Sequence, residues 1–109
     1  MPPPAVEVDI SQGTATVVIT GELDALVAPT LSAYLTVVLA QPLQRLVFDL
    51  SGLYFLDCAA ARLIAAAGQT LPPGRRPVIR GARPAVRRIL QVSGLDAHCE
   101  LEDRPAPWG

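Results

Sequence analysis

Lysine is absent from this chain: all nine basic residues are arginine. Together with abundant Ala, Pro and Gly, that usage reflects a GC-rich genome, not a functional choice. Aromatic residues are scarce, five in 109, which leaves little for stacking nucleic-acid bases. Two cysteines, Cys58 and Cys99, are too few for a secreted disulfide scaffold, and with the single His98 they make no zinc site. No apolar run approaches the roughly 18–20 residues that span a membrane. The start, Met1-Pro2-Pro3-Pro4-Ala5, lacks the basic and apolar regions of a signal peptide. The expected location is the cytoplasm, with no membrane association. No nucleophile–base pair, P-loop or dinucleotide fingerprint is present.

What is present is apolar and unevenly charged. Half of the residues are apolar and 17% are charged, which excludes disorder and fits a single domain, expected over residues 1–104 with a loose tail at 105–109. Net charge is −1, but residues 1–60 hold six acids against one base, Arg45. Residues 75–88 hold six arginines: Arg75, Arg76, Arg80, Arg83, Arg87 and Arg88. This group reads as a solvated face or as a docking patch for an acidic partner. Direct nucleic-acid binding is not expected from the overall balance.

Alternation of Val6, Val8 and Ile10 with Glu7 and Asp9 predicts a half-buried strand. A second, Ala15-Val17-Ile19, follows the turn Ser11-Gln12-Gly13, giving a β-hairpin. Gly21-Glu22-Leu23-Asp24 reads as a loop. Pro29 suits the first turn of a helix running to about Ala40, with Val27, Leu31, Tyr34, Leu35 and Val38 as its apolar stripe. The strand at 46–50 has few polar interruptions, as where both sheet faces are covered, so helices are expected over it. Asp49 within it is expected to be held by hydrogen bonds at the sheet's end. After Ser51-Gly52 the chain passes Tyr54, Phe55 and Leu56 to a second helix at about 58–67. A short strand at 78–80 and a third helix from Pro84 follow, the latter with Val86, Ile89, Leu90 and Val92 on one side and Arg87 and Arg88 on the other. Gly94 is the expected left-handed cap, with Leu95 folding back. A last strand lies near 98–102. The order β-β-α-β-α-β-α-β predicts an α/β fold with a mixed sheet whose parallel part is made by right-handed crossovers.

Three segments carry a family resemblance: GELD at 21–24, LVFDLSGLYFLD at 46–57 and VRRILQVSGLD at 86–96. In this order and on these elements they resemble the STAS domain, a family that includes bacterial anti-anti-sigma factors. The resemblance covers essentially the whole chain. It implies a four- to five-stranded mixed sheet packed by helices, with no cofactor and no catalysis. It further implies an anti-sigma factor antagonist, whose partner is an anti-sigma factor with a kinase-type ATP-binding domain. In partner-switching members a serine at the start of the second helix, within Asp-Ser-Ser-Gly or Asp-Ser-Thr-Gly, is phosphorylated to end binding. This chain reads Asp57-Cys58-Ala59-Ala60. Ala59 stands at the acceptor position and carries no hydroxyl. The alternative implied is a STAS scaffold or ligand-binding module in a signalling assembly without a sigma factor.

The expected contact surface is Glu22, Leu23 and Asp24 with Asp57, Cys58, Ala59, Ala60 and Arg62, on a monomer or weak dimer. Each residue has a plainer reading. Asp57 serves as a helix N-cap, as a partner contact, or as both. Asp24 either orders its loop or faces the partner. Cys58 is a small structural residue or, at a helix N-terminus, a redox-responsive thiol. A Cys58–Cys99 bridge is not expected, because parallel strands place the two near opposite ends of the sheet. His98 reads as an ordinary surface or strand histidine, far from Cys58.

Overall fold

A computed structural model describes residues 5–102; the tail expected at 105–109 lies outside them. Strands β1 (Val6–Ser11) and β2 (Thr14–Ile19) form the expected antiparallel hairpin. Gln12 and Gly13 close it, both with positive φ (52° and 79°), as a two-residue turn matched to right-handed strand twist requires. Next come β3 (Gly21–Leu23), α1 (Ala28–Leu39), β4 (Arg45–Asp49), β5 (Leu53–Leu56) and α2 (Cys58–Gly68). The chain ends through β6 (Val78–Arg80), α3 (Pro84–Val92), a 3₁₀ turn (Leu95–His98) and β7 (Glu100–Glu102). The main sheet has five strands in the order β1-β2-β4-β6-β7, antiparallel at the hairpin and parallel elsewhere. This is the predicted mixed α/β architecture.

Two strands were not foreseen. GELD is not a loop: β3 pairs in parallel with β5 as a separate two-stranded sheet, with a register shift between Gly21 and Glu22. Segments of three and four residues are too short to display a period, and their pairing partner is some thirty residues away.

The three helices share one face. Leu31, Leu35 and Val38 of α1, Ala60, Ala61, Ile64 and Ala67 of α2, and Val86 and Leu90 of α3 join a single core with Ala15, Val17, Ile19, Leu46, Phe48 and Ile79. Those strand residues all have the parity of one sheet face. Val47 and its register partner Val78 are buried outside that core, on the other face. By the same parity Arg45, Arg80 and Glu102 lie on this second face, where Glu102 pairs with Arg45 at 3.1 Å and with Arg80 at 3.2 Å. The expectation of helices over both faces of β4 is therefore corrected: the second face carries this ion-pair group. Half-exposed pairs of this kind add little stability.

Smaller departures follow from position. Burial fades along β1, from buried Val6 to exposed Ile10, because β1 is the sheet edge. Tyr34 points outward from α1, and Val92 at the end of α3 is 74% exposed. Gly94 adopts the left-handed conformation (φ 77°), its N–H bonded to the Gln91 carbonyl, and Leu95 is buried behind it. Asp49 sits at the end of β4 and Oδ1 accepts from the N–H and the hydroxyl of Ser51 at 3.0 and 2.7 Å.

Candidate functional site

The small sheet builds the site. Leu23 and Leu56 are register partners in parallel strands, so Asp24 and Asp57, the next residues, emerge side by side. The Asp57 N–H donates to the Leu23 carbonyl at 3.2 Å and ties the two strand ends together. Each aspartate then starts a helix. Asp24 Oδ1 accepts the N–H groups of Leu26 and Val27 at 3.0 and 3.2 Å, and its carbonyl accepts from Ala28, turning the chain into α1. Asp57 Oδ1 accepts the Ala60 N–H at 2.7 Å, which makes it the side-chain cap of α2.

Around these two aspartates the structure sorts the remaining sequence-derived residues by exposure. Glu22, Cys58, Ala59 and Arg62 are exposed, and Asp24 and Asp57 are half-buried. Leu23 and Ala60 are fully enclosed in the core. A correction follows: these two cannot offer side chains to a partner, and their burial instead fixes the backbone that displays their neighbours. Alternation on β3 puts Leu23 inward and Glu22 outward.

Three exposed apolar side chains bound this edge and were not singled out from the sequence: Leu26 (87% exposed) in the turn before α1, and Tyr54 (64%) and Phe55 (48%) on β5. Adjacent exposed residues on β5 break the alternation that would have marked a strand. Glu22, Asp24, Leu26, Val27 and Tyr54 line an open groove of about 680 Å³. The Arg83 guanidinium sits 4.4 Å from the centroid of the Tyr54 ring, and its Nε–H donates to the Ser51 carbonyl at 3.1 Å.

The arginines of 75–88 do not form one patch. Arg80 is paired with Glu102, Arg83 is stacked on Tyr54, and Arg75 donates to the Gln44 carbonyl at 2.9 Å. Both cysteines are free, Cys58 exposed and Cys99 buried. Burial, with help from Asp96 and against the opposing effect of Arg76, pushes the Cys99 thiol up from its ordinary 9.0 to about 11. His98 is exposed on the 3₁₀ turn. Among the described residues no group of three or more His, Cys, Asp or Glu is placed to hold a metal. No described helix is long and apolar enough to cross a membrane.

Comparison with protein families matches the STAS domain over residues 5–105, nearly the full length. The chain belongs to the STAS domain family. Among solved structures, this STAS domain is similar to an anti-sigma factor antagonist from Mycobacterium paratuberculosis, with 32% identity and a TM-score of 0.79 over 91% of this chain and 85% of that one. It shares the fold of the anti-sigma factor antagonist SpoIIAA in its unphosphorylated form, with 22% identity and a TM-score of 0.77 over 90% and 88% of the two chains. The phosphorylated form of the Bacillus cell fate determinant SpoIIAA matches at 20% identity and a TM-score of 0.69, over 90% and 91%. A search of curated proteins returns no significant match.

Proposed function

We propose that this STAS domain is an anti-sigma factor antagonist. It binds an anti-sigma factor that carries a kinase-type ATP-binding domain, displaces the sigma factor held there, and does so without the family's phosphorylation off-switch. The observation carrying this reading is the side-by-side exit of Asp24 and Asp57, which displays Glu22, Cys58, Ala59 and Arg62 along one edge. The likeness at 32% identity to a mycobacterial antagonist supports it. The site of action would be the cytoplasm, and the domain would act as a monomer or weak dimer.

The absent switch rests on Ala59. A phosphate there would add about 1.5–2 negative charges to a fitted edge that already carries Glu22, Asp24 and Asp57. Without a hydroxyl that modification is chemically closed, so the edge stays competent to bind. The same observation favours a second reading, a STAS scaffold in a signalling assembly without a sigma factor, in which the switch has no use.

Binding decides between them. The reduced protein is titrated against each anti-sigma ATP-binding domain of its source genome, with ATP present throughout. Tight binding to one of them that persists under ATP, with release of its sigma factor, is the expected result. No binding to any of them would overturn the proposal in favour of the scaffold.

A further inference from the structure

A second concave site lies at the far end of α2. The partner-facing edge sits at the N-terminus of that helix, and an eleven-residue helix is about 16 Å long. At its C-terminus Ala65, Gly68, Gln69, Arg75, Arg76 and His98 enclose a cleft of about 170 Å³, with Ala97 beside His98. No carboxylate lines it. Neither guanidinium has an ion-pair partner among the described residues. Two arginines therefore line one hollow of a chain whose net charge is −1. Charge of one sign in a low-dielectric concavity focuses its field on whatever enters.

The cleft is held in shape by the loop that supplies the arginines. The Arg75 N–H bonds the Pro72 carbonyl at 3.0 Å, with Pro73 and Gly74 between them and Gly74 at φ +83°. That is the residue order of a type II turn, proline first and a left-handed glycine second. The Arg75 side chain is anchored by its bond to the Gln44 carbonyl, which orients the guanidinium without neutralising it. On the opposite wall Gly68 abuts Pro77 so closely that a Cβ there would lie 2.7 Å from the proline Cδ.

Two influences oppose this charge: the Asp96 carboxylate, which adjoins the lining and acts on Cys99 against Arg76, and the negative end of the α2 dipole, equivalent to about half a charge. The dipole is blunted here. The carbonyls of Ala66, Ala67 and Gly68 accept from the N–H groups of Gln69, Thr70 and Leu71 at 3.2 Å each, and the Thr70 hydroxyl adds a second bond to Ala67. Two full charges still exceed one carboxylate and what remains of the dipole.

We propose that this cleft binds the phosphate group of a small anionic molecule, with the guanidinium groups of Arg75 and Arg76 supplying the charge and Gln69 and His98 the flanking hydrogen bonds. Guanidinium forks match phosphate oxygens in geometry, and a phosphomonoester near neutral pH carries the charge that two arginines balance. At about 170 Å³ the hollow is smaller than the roughly 300 Å³ at which pockets enclose whole drug-sized ligands, so it takes the phosphate and leaves the remainder outside.

The test is a titration of the full chain by amide NMR at constant ionic strength, with inorganic phosphate, adenosine monophosphate and adenosine as separate probes. Saturable shifts at Gln69, Arg75, Arg76 and His98 are expected with the two phosphates and not with adenosine. Tighter binding of the monophosphate than of inorganic phosphate identifies a phosphomonoester ligand; equal binding identifies free phosphate. Arg76→Gln should weaken binding roughly tenfold or more, and Gln69→Glu should do the same by placing a carboxylate in the hollow. Arg88→Gln, an exposed arginine on α3, should leave it within about twofold. Non-saturating shifts, shifts spread equally over Arg62 and Arg88, or unchanged affinity in both cleft variants would overturn the proposal. No anti-sigma factor enters this experiment, so its outcome is independent of the proposed antagonist role.

Discussion

Asp24 and Asp57 stand next to each other because Leu23 and Leu56 are paired in parallel, and the Asp57 N–H bonded to the Leu23 carbonyl locks that adjacency. Each aspartate organises the start of one helix, so a single short sheet sets the entry points of both α1 and α2.

The cap on α2 has a measurable worth. Replacing Asp57 with Ala removes the 2.7 Å bond to the Ala60 N–H, and the expected loss is about 1 kcal/mol in urea unfolding. Asp57→Asn keeps an acceptor and should recover most of it. Equal loss in both variants would mean that the carboxylate acts through its charge.

Ala59 is expected to be the sole obstacle to phosphorylation at the start of α2. The Ala59→Ser variant, incubated with ATP and the kinase-type partner, should acquire one phosphate at position 59, read by peptide mass spectrometry. The natural sequence should acquire none on residues 57–61. Phosphate there in the unmutated chain would remove the basis for a missing switch.

Neighbouring residues on β3 should separate scaffold from contact surface. Leu23 is fully buried, and Leu23→Ala is expected to cost about 2–5 kcal/mol of stability. Exposed Glu22→Gln should change stability by no more than about 0.5 kcal/mol while weakening partner binding. If Glu22→Gln binds as the wild type does, Glu22 lies outside the interface.

The two thiols should behave oppositely. A maleimide at neutral pH is expected to label exposed Cys58 and to spare buried Cys99 until the protein unfolds. The Cys99 thiol is raised from 9.0 to about 11, so the folded state holds its proton more tightly than the unfolded chain does. That contribution is complete below about pH 9 and is lost as the pH climbs toward about 11. Denaturation midpoints should fall across this window, and Cys99→Ala should flatten the slope; an unchanged slope would place its origin in other groups.

Gly81 should tolerate no side chain. Its φ is +73°, and an added Cβ would lie 2.9 Å from the Ser51 Cβ. Left-handed strain alone costs an L-residue roughly 1–2 kcal/mol, and Gly81→Ala should exceed that in thermal or urea unfolding.

Much of this molecule could be read residue by residue. The hairpin, the proline-started helices α1 and α3, the Gly94 cap and the Asp57 cap all rest on local signals: alternation, a fixed proline φ, a left-handed glycine, an acceptor just before a helix. What escaped reading has the opposite character. β3 and β5 were missed because three or four residues show no period, and their hydrogen bonds go to each other across the chain. Tyr54, Phe55 and Leu26 escaped because an exposed apolar residue looks the same in sequence as a buried one.

The sequence alone determined the order of most elements, most of the core stripes of α1 and α3, the family resemblance and the missing hydroxyl at Ala59, since each depends on residue type and near-neighbour spacing. Only the tertiary structure decided that Gly21–Leu23 of GELD is a strand, that Leu23 and Ala60 are enclosed while Glu22 and Ala59 are displayed, and that Arg75, Arg80 and Arg83 reach separately to Gln44, Glu102 and Tyr54. Those outcomes depend on which distant backbone fills each residue's hydrogen bonds and covers its surface, and parallel pairing between remote segments supplies that only once the chain has folded.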